Sequence, residues 1–528
     1  MSDEAGNMFR EGGKLSLLTM ASRILGLARE MTRAAFMGTG VLADAFAAAF
    51  TLPNFLRRLF AEGSMTAAFI PTFTGYLAEK DEEKAKEFLS ATFTVLVALV
   101  LAVVALGIAF APWIVLIFRS DRSETALLTQ MMFPFLALVS VAAFFQGILN
   151  SIGVFTPSGM APILFNVCWI AVPYLVGNAF GNPARAMAVG IVIGGFAQAL
   201  VQLPAVLRAG WRFGFISPRR ALRNPGMRRV LALVAPTILG MAAYQVNFLV
   251  SSALATDAGT GALSSIQYSL RLQELVLGVF VVSLSTVLLP DLAGSAREGD
   301  WGSYSDSLGK GLRAMILVTV PVALFSMVVG KDIVTLLFKA REFDAESVRL
   351  TTAAFFWHMT GLVFIAMNRV IAPAFYACSD TKTPTWAGVV SFGANILLAV
   401  VLVGPMKGPG IALALSAASA VNTFVLVAVL LRRNIPGASR AVAAAGRYFL
   451  RLLAFSVLAV APVLLARREF AQVFGSARSR LVSAGLPLLL DTIVFAVIGV
   501  GLLVISKDEM AALIVSALRR RRGRPGRG

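Results

Sequence analysis

Between Lys14 and Tyr76 the chain is apolar enough to form two membrane-crossing helices, yet its interior holds Arg23, Arg29, Arg33, Asp44, Arg57, Arg58 and Glu62. An arginine at the centre of a membrane helix costs roughly 2.5–3.5 kcal/mol even on the lenient insertion scale. Several such costs in one place are sustained where the guanidinium groups face a wet, protein-lined cavity, and such a cavity suits an anion. Later in the chain Arg271 and Glu274 lie three residues apart, on one helix face. Arginine binds phosphate oxygens in a bidentate manner and stays charged at any working pH. The chemistry expected is therefore capture of a phosphate or pyrophosphate by Arg23, Arg29, Arg57 and Arg271. The competing reading pairs these arginines with Asp44, Glu62 and Glu274 as purely structural ties. Arg33 and Arg58 have a third option, snorkelling to the interface.

Other reactive residues are few. His358 is the single histidine and falls in an apolar helix, where a hydrogen-bonded core role outweighs a metal or proton role. Cys168 and Cys378 both lie in apolar segments and are expected to be free, buried thiols, with no disulfide and no metal site. Asp491 lies close enough to the end of an apolar stretch to face lipid headgroups. Pro53 and Gly63 flank Asn54–Glu62 and predict a helix interrupted beside a cavity. There is no GxxxxGK[ST], HExxH, paired CxxC or GxSxG motif, so the chain reads as a non-enzyme without cofactor. Energy would come from an ion gradient, the membrane potential or removal of product, and no coupling ion is identified.

The elements that must position these residues follow from composition. Of 528 residues, 58% are hydrophobic and 14% charged, with mean hydropathy +0.79, against roughly 25% charged in a soluble domain. The fold class is an all-α polytopic membrane protein. Apolar runs of about 20 residues predict fourteen transmembrane helices: 14–37, 42–77, 88–117, 126–150, 159–179, 185–207, 228–255, 263–291, 310–330, 346–373, 384–403, 409–431, 443–466 and 485–506. The first of them, with no cleavable leader before it, is expected to target the chain. The longest loops are 208–227 and 291–309.

The net charge of +19 is concentrated in loops and in the tail Arg519, Arg520, Arg521, Arg522, Arg524 and Arg527. Basic loops mark the cytoplasmic side, which places both termini there. The tail reads as a topology anchor or a contact for anionic membrane lipids, not a nucleic-acid arm. The chain also repeats itself. Ile24–Ala28 matches Ile238–Ala242, Phe69-Ile70-Pro71 matches Leu288-Leu289-Pro290, and Thr156-Pro157 matches Thr383-Pro384, at offsets of 214, 219 and 227. A duplicated unit of six helices inserts the same way up twice and gives two pseudo-symmetric lobes with a site between them. The expected domains are an N-lobe at 1–222, a C-lobe at 223–434, an added helix pair at 435–510 and a basic cytoplasmic tail at 511–528.

At SRILGLARE (22–30), ADAFAAAFTLPNFLRRLFAEGSMTAAFIP (43–71), YSLRLQEL (268–275) and APAFYACSDTKTP (372–384) the sequence resembles the MurJ/MviN family of lipid II flippases, within the multidrug/oligosaccharidyl-lipid/polysaccharide exporter superfamily. The resemblance covers essentially the whole chain. It implies a flippase of the bacterial inner membrane that moves undecaprenyl-pyrophosphate-linked disaccharide pentapeptide from the cytoplasmic to the periplasmic leaflet for peptidoglycan synthesis. It implies essential roles for Arg23, Arg29, Arg57 and Arg271, an acidic role for Asp44, and matching motifs at Glu62 and Glu274. It also implies a groove for the polyprenyl tail along the last two helices. Some relatives bind sodium in the second lobe; here the seventh stretch offers Asn247 but no carboxylate.

The reading that follows is alternating access, with the central arginines, aided by Asp44, Arg58, Glu62 and Glu274, receiving the pyrophosphate, in a monomer that works alone or beside cell-wall synthesis complexes. The alternatives are export of another lipid-linked oligosaccharide, and a non-transporting glycosyltransferase or scaffold of cell-wall synthesis. A cationic-drug exporter would want an acidic cavity, and a glycosyltransferase a sizeable outer loop.

Overall fold

The computed structural model describes residues 2–59, 68–118, 122–474, 477 and 479–513. Among these residues the secondary structure is helical, without strands. The helices are α1 (Ser2–Met37), α2 (Val41–Arg57), α3 (Ile70–Glu79), α4 (Glu82–Ile114), α5 (Arg122–Met132), α6 (Pro134–Ser151), α7 (Thr156–Val176), α8 (Pro183–Arg208), α9 (Pro218–Arg223), α10 (Pro225–Asp257), α11 (Ala262–Glu298), α12 (Trp301–Phe338), α13 (Ala345–Ala377), α14 (Lys382–Met406), α15 (Gly408–Arg432), α16 (Ala438–Phe474) and α17 (Leu486–Ile505). Among the described residues ten helical stretches are long and apolar enough to cross a membrane. Length and composition thus qualify ten of the fourteen predicted spans. The other four predicted stretches are helical wherever they are described.

Short polar links start several helices by the same device. The side chains of Asp81, Asn182, Asn224, Asp300 and Asp344 each accept the backbone N–H three residues on, at 2.8–3.2 Å. A capping oxygen satisfies a donor that the first helical turn leaves open. Proline follows directly at Pro183 and Pro225, where its missing N–H costs nothing.

One predicted helix is interrupted, as the Pro53 and Gly63 pattern expected, and one predicted loop differs. The stretch 42–77 is not one regular helix: α2 ends at Arg57, π-helical turns occupy 58–59 and 68–69, and α3 begins at Ile70. Pro53 inside α2 removes a hydrogen bond and loosens the ladder just ahead of the break. Gly63, the other predicted breakpoint, and Glu62 lie outside the described residues, as does the basic tail. The predicted loop 291–309 is nearly absent, because α11 runs on to Glu298 and Asp300 caps α12. Polar residues beyond an apolar run can extend a helix, which hydropathy does not register.

The chain divides into two compact units, residues 1–264 with 340–343, and residues 265–339 with 344–528. In the first unit, α7 packs on α8, α6 on α8 and α4 on α6. In the second, α14 packs on α15, α13 on α15 and α12 on α13. The same neighbour scheme recurs in both units. Close approach depends on small residues: a Cβ on Gly194 would come within 2.8 Å of Phe165, and one on Gly361 within 2.6 Å of Ser416 Oγ. Polar ties cross between helices, including Gln202 to the Ala142 carbonyl (3.2 Å) and Tyr304 to the Ala374 carbonyl (2.8 Å).

The core of the first unit is strongly aromatic. Phe69, Phe73, Phe88 and Phe144 stack with centroids 5.4–6.5 Å apart. Trp211 and Phe213, from the link after α8, join that stack at 5.1 and 5.3 Å. The link itself is pinned to α4, with Gly214 and Ile216 donating backbone N–H groups to Ser90 and Thr94. The strap 340–343 also belongs to this unit: Glu342 N–H donates to the Ala35 carbonyl (3.1 Å), and the Arg341 guanidinium covers Phe36 (4.8 Å) and Tyr174 (5.5 Å). Cys168 and Cys378 are free, and both are half-buried where full burial was expected.

Candidate functional site

The charged site of the first unit is built on α1 and α7. Six residues of helix advance about 9 Å and turn by about 240°, so Arg23 and Arg29 leave α1 in different directions. Arg23 is exposed, while the Arg29 side chain is only 11% exposed. Arg29 Nη1 donates to Asn166 Oδ1 at 3.1 Å, and Nη2 donates to Glu30 Oε1 at 2.8 Å. Its guanidinium lies over the Trp169 ring, 4.3 Å from the centroid. Asn166 also donates to the Ser22 carbonyl at 3.3 Å, beside Arg23. Trp169 is itself fixed by Phe46, Phe50 and Phe165 at 5.3–6.1 Å. A planar cation held on an aromatic face and by two hydrogen bonds is ordered in advance for a second planar or bidentate acceptor.

Arg33 is 6% exposed and pairs with Glu30 at 3.3 Å, so it is held inside the protein and does not snorkel. Glu30 serves both arginines. Sequence reasoning missed Glu30, Asn166 and Trp169. For Glu30 a signal existed in the Glu30–Arg33 spacing of three; Asn166 and Trp169 come close only through the packing of α7 on α1.

Asp44 is 5% exposed and faces another task. Its two oxygens accept the N–H groups of Gly261 (2.6 Å) and Ser264 (2.8 Å), capping the start of α11 within the first unit. Thirteen residues of helix, about 20 Å, separate Asp44 from Arg57, so α2 holds them near opposite ends. Arg57 is half-buried and its Nε donates to Asn54 Oδ1 at 3.1 Å. Arg58 begins the π-helical turn and is half-buried. The first unit therefore unites Arg29 with Arg33, but not Asp44 with Arg57.

In the second unit, helical periodicity splits the YSLRLQEL run. Ser269 and Gln273 point inward, where Ser269 Oγ meets His358 Nδ1 at 2.5 Å and Gln273 Nε2 donates to the His358 carbonyl. His358 is 1% exposed and serves as a core residue. Arg271 and Glu274 point outward, 46% and 53% exposed, and pair at 2.5 Å as their spacing required. A separate apolar groove of about 830 Å³ runs between α12, α16 and α17, lined by Pro321, Phe455, Phe495 and Val500 and ending at Lys507 and Asp508. Among the described residues no group of three metal-ligating side chains occurs.

Ten helices apolar and long enough to span among the described residues, with Arg29 and Arg33 largely buried on α1, define a multi-pass membrane protein. The chain belongs to the lipid II flippase MurJ family: the family's sequence profile, described as "Lipid II flippase MurJ", matches residues 33–481. A probable lipid II flippase MurJ of Treponema pallidum (strain Nichols) is 43% identical over 522 residues, covering 97% of this chain and 98% of that protein. The lipid II flippase MurJ of Burkholderia cenocepacia is 33% identical over 438 residues, covering 81% and 85%. Among solved structures, a lipid II flippase MurJ in an inward closed conformation aligns with TM-score 0.77 at 21% identity, covering 96% and 99%. An inward-facing multidrug resistance MATE family transporter of the MOP superfamily aligns with TM-score 0.63 at 12% identity, covering 81% and 95%. At these identities the two structures speak for the fold alone.

Proposed function

We propose that this chain flips lipid II, the lipid-linked peptidoglycan precursor, from the cytoplasmic to the periplasmic leaflet of the bacterial inner membrane by alternating access. Family membership and the names of the close relatives support the substrate. The observation that carries the chemistry is Arg29, an almost buried guanidinium ordered by Asn166, Glu30 and Trp169. Arg23, Arg57 and Arg271 complete the pyrophosphate site in this reading. Capture of the anion relieves repulsion among the arginines, so the N-lobe (1–222) and C-lobe (223–434) close over the headgroup and reopen outward. The apolar groove along α16 and α17 accommodates the polyprenyl tail. Both termini are cytoplasmic, the working unit is a monomer, and consumption of product outside the membrane gives direction. The protein transports and does not catalyse.

The test is replacement. A bacterium depleted of its resident flippase expresses this chain, and periplasmic exposure of the precursor is followed for the wild type, Arg29→Ala and Arg271→Ala. Exposure restored by the wild type and lost in both variants is expected. Rescue by both variants would make the arginines structural; no rescue by a well-inserted wild type would move the substrate to another lipid-linked glycan.

A further inference from the structure

His358 is the single histidine of the chain, and two residues from one face of α11 converge on it. Ser269 Oγ lies 2.5 Å from His358 Nδ1, and Gln273 Nε2 donates to the His358 carbonyl. All three residues are buried, so these bonds form out of reach of solvent. In a helix, residues four apart point about 40° from each other, and the residue midway between them points about 160° from both. That midway residue is Arg271, which leaves α11 on the face opposite the seam and is 46% exposed. Tyr268 and Leu272 are buried and flank the seam on one side, with the Tyr268 ring 5.3 Å from that of Phe338.

Apolar packing alone does not choose the rotation of such a helix. Contacts between hydrocarbon side chains are non-directional, and lipid tails are as apolar as they are, so interhelical hydrogen bonds discriminate between registers. Both bonds of α11 end on one residue of α13, the first on its ring and the second on its backbone. A turn of α11 by about 30° would move a group about 6 Å from its axis by about 3 Å, the length of a hydrogen bond. His358 Nε2 has no hydrogen-bond partner among the described residues. A buried polar atom left open lowers stability, and an apolar side chain at this place would avoid that loss.

We propose that His358 is a positioning residue for Arg271: through Ser269 and Gln273 it fixes the rotation of α11, and thereby the direction in which the Arg271 guanidinium meets the pyrophosphate. Bidentate recognition of a phosphate depends on the plane of the guanidinium as well as on its charge. What the histidine contributes is direction rather than stability. His358 acts here through Arg271, so this role rests on the pyrophosphate reading of that arginine.

The experiment measures thiol reactivity in the full chain in proteoliposomes, with Cys168→Ser, Cys378→Ser and one reporter, Arg271→Cys or Leu272→Cys, exposed to a water-soluble maleimide. With His358 in place, Arg271→Cys should react faster than Leu272→Cys. Ser269→Ala combined with His358→Leu removes both side-chain partners of the first bond together, and should bring the two rates closer by about fivefold, the scale of one hydrogen bond. In the chain without reporters the same combination should raise the half-saturating lipid II concentration for flipping by about fivefold, at an unchanged maximal rate and thermal midpoint. His358→Asn, whose amide reaches about where Nδ1 lies, should keep both readouts at their wild-type values. Ser269→Ala alone should act in the same direction as the combination, which keeps the test decisive should the combination fold poorly. An unchanged rate ratio overturns the role on the side of α11. A changed ratio with an unchanged half-saturating concentration overturns it on the side of pyrophosphate capture.

Discussion

Asp44 Oδ1 accepts the backbone N–H of Ser264 at 2.8 Å across 220 residues of sequence, and Oδ2 takes the N–H of Gly261. A carboxylate from α2 thereby caps the start of α11. Asp44→Ala leaves two buried donors open and should destabilise the protein by about 1–3 kcal/mol. Asp44→Asn keeps one acceptor but turns an amide N–H toward the other donor, and should lie between wild type and Asp44→Ala. Thermal unfolding in detergent checks this order. An unchanged midpoint in Asp44→Ala would leave the capping contact without weight.

Arg29 is fixed by direction as much as by charge. Arg29→Lys keeps the cation but loses the fork that reaches both Asn166 and Glu30 and the planar stack on Trp169. Transport in proteoliposomes should fall at least tenfold, a difference of about 1.4 kcal/mol. Asn166→Ala should fall less, because Glu30 and Trp169 still hold the guanidinium. Full activity in Arg29→Lys would show that a point charge suffices.

Arg271 and Glu274 form an exposed pair three residues apart, a geometry that contributes only about 0.2–0.5 kcal/mol to a helix. Neither Arg271→Ala nor Glu274→Gln should shift the thermal midpoint appreciably. Their effects on flipping should part: Arg271→Ala loses it, and Glu274→Gln retains it, since the guanidinium stays in place. Equal loss in both variants would assign the function to the pair.

Outside the membrane, Asp344 caps α13. The backbone N–H of Ser347, followed by its side chain, holds the Asp344 carboxyl below its ordinary value. A pKa lowered by folding gives stability that is fully present above the unfolded carboxylate value, near about 3.9, and lost as pH falls through the lower folded value. Hydrogen exchange at the first turn of α13, corrected for its intrinsic pH dependence, should therefore stay slow at neutral pH and quicken only in that acidic window. Asp344→Ala should lose roughly fivefold protection at neutral pH, the scale of one helix cap. Exchange insensitive to both changes would deny the cap any weight.

Helix positions were legible because hydropathy over about 20 residues is a one-dimensional property. The duplication is read from three short matches in the sequence, and α7 with α8 and α14 with α15 pack at corresponding places. The Arg271–Glu274 pair followed from helical spacing. The pairing of Arg33 was not legible: its carboxylate is Glu30, one turn away, while the more conspicuous Asp44 is taken by backbone. Charge pattern alone does not tell a carboxylate that pairs with arginine from one that caps a helix.

By itself the sequence determined that this is a polytopic helical protein, because hydropathy over a helix length depends only on residue type and neighbours in the chain. The tertiary structure decided what each charge does. Arg29 rests on Trp169 and Asn166 because α7 packs on α1, and Asp44 caps α11 because α2 begins beside the Gly261 link. Asp491 loses both water and hydrogen bonds because α17 turns that face onto α12 and α16. These partners lie far apart in sequence, and only packing brings them within the few ångströms at which hydrogen bonds and ion pairs act.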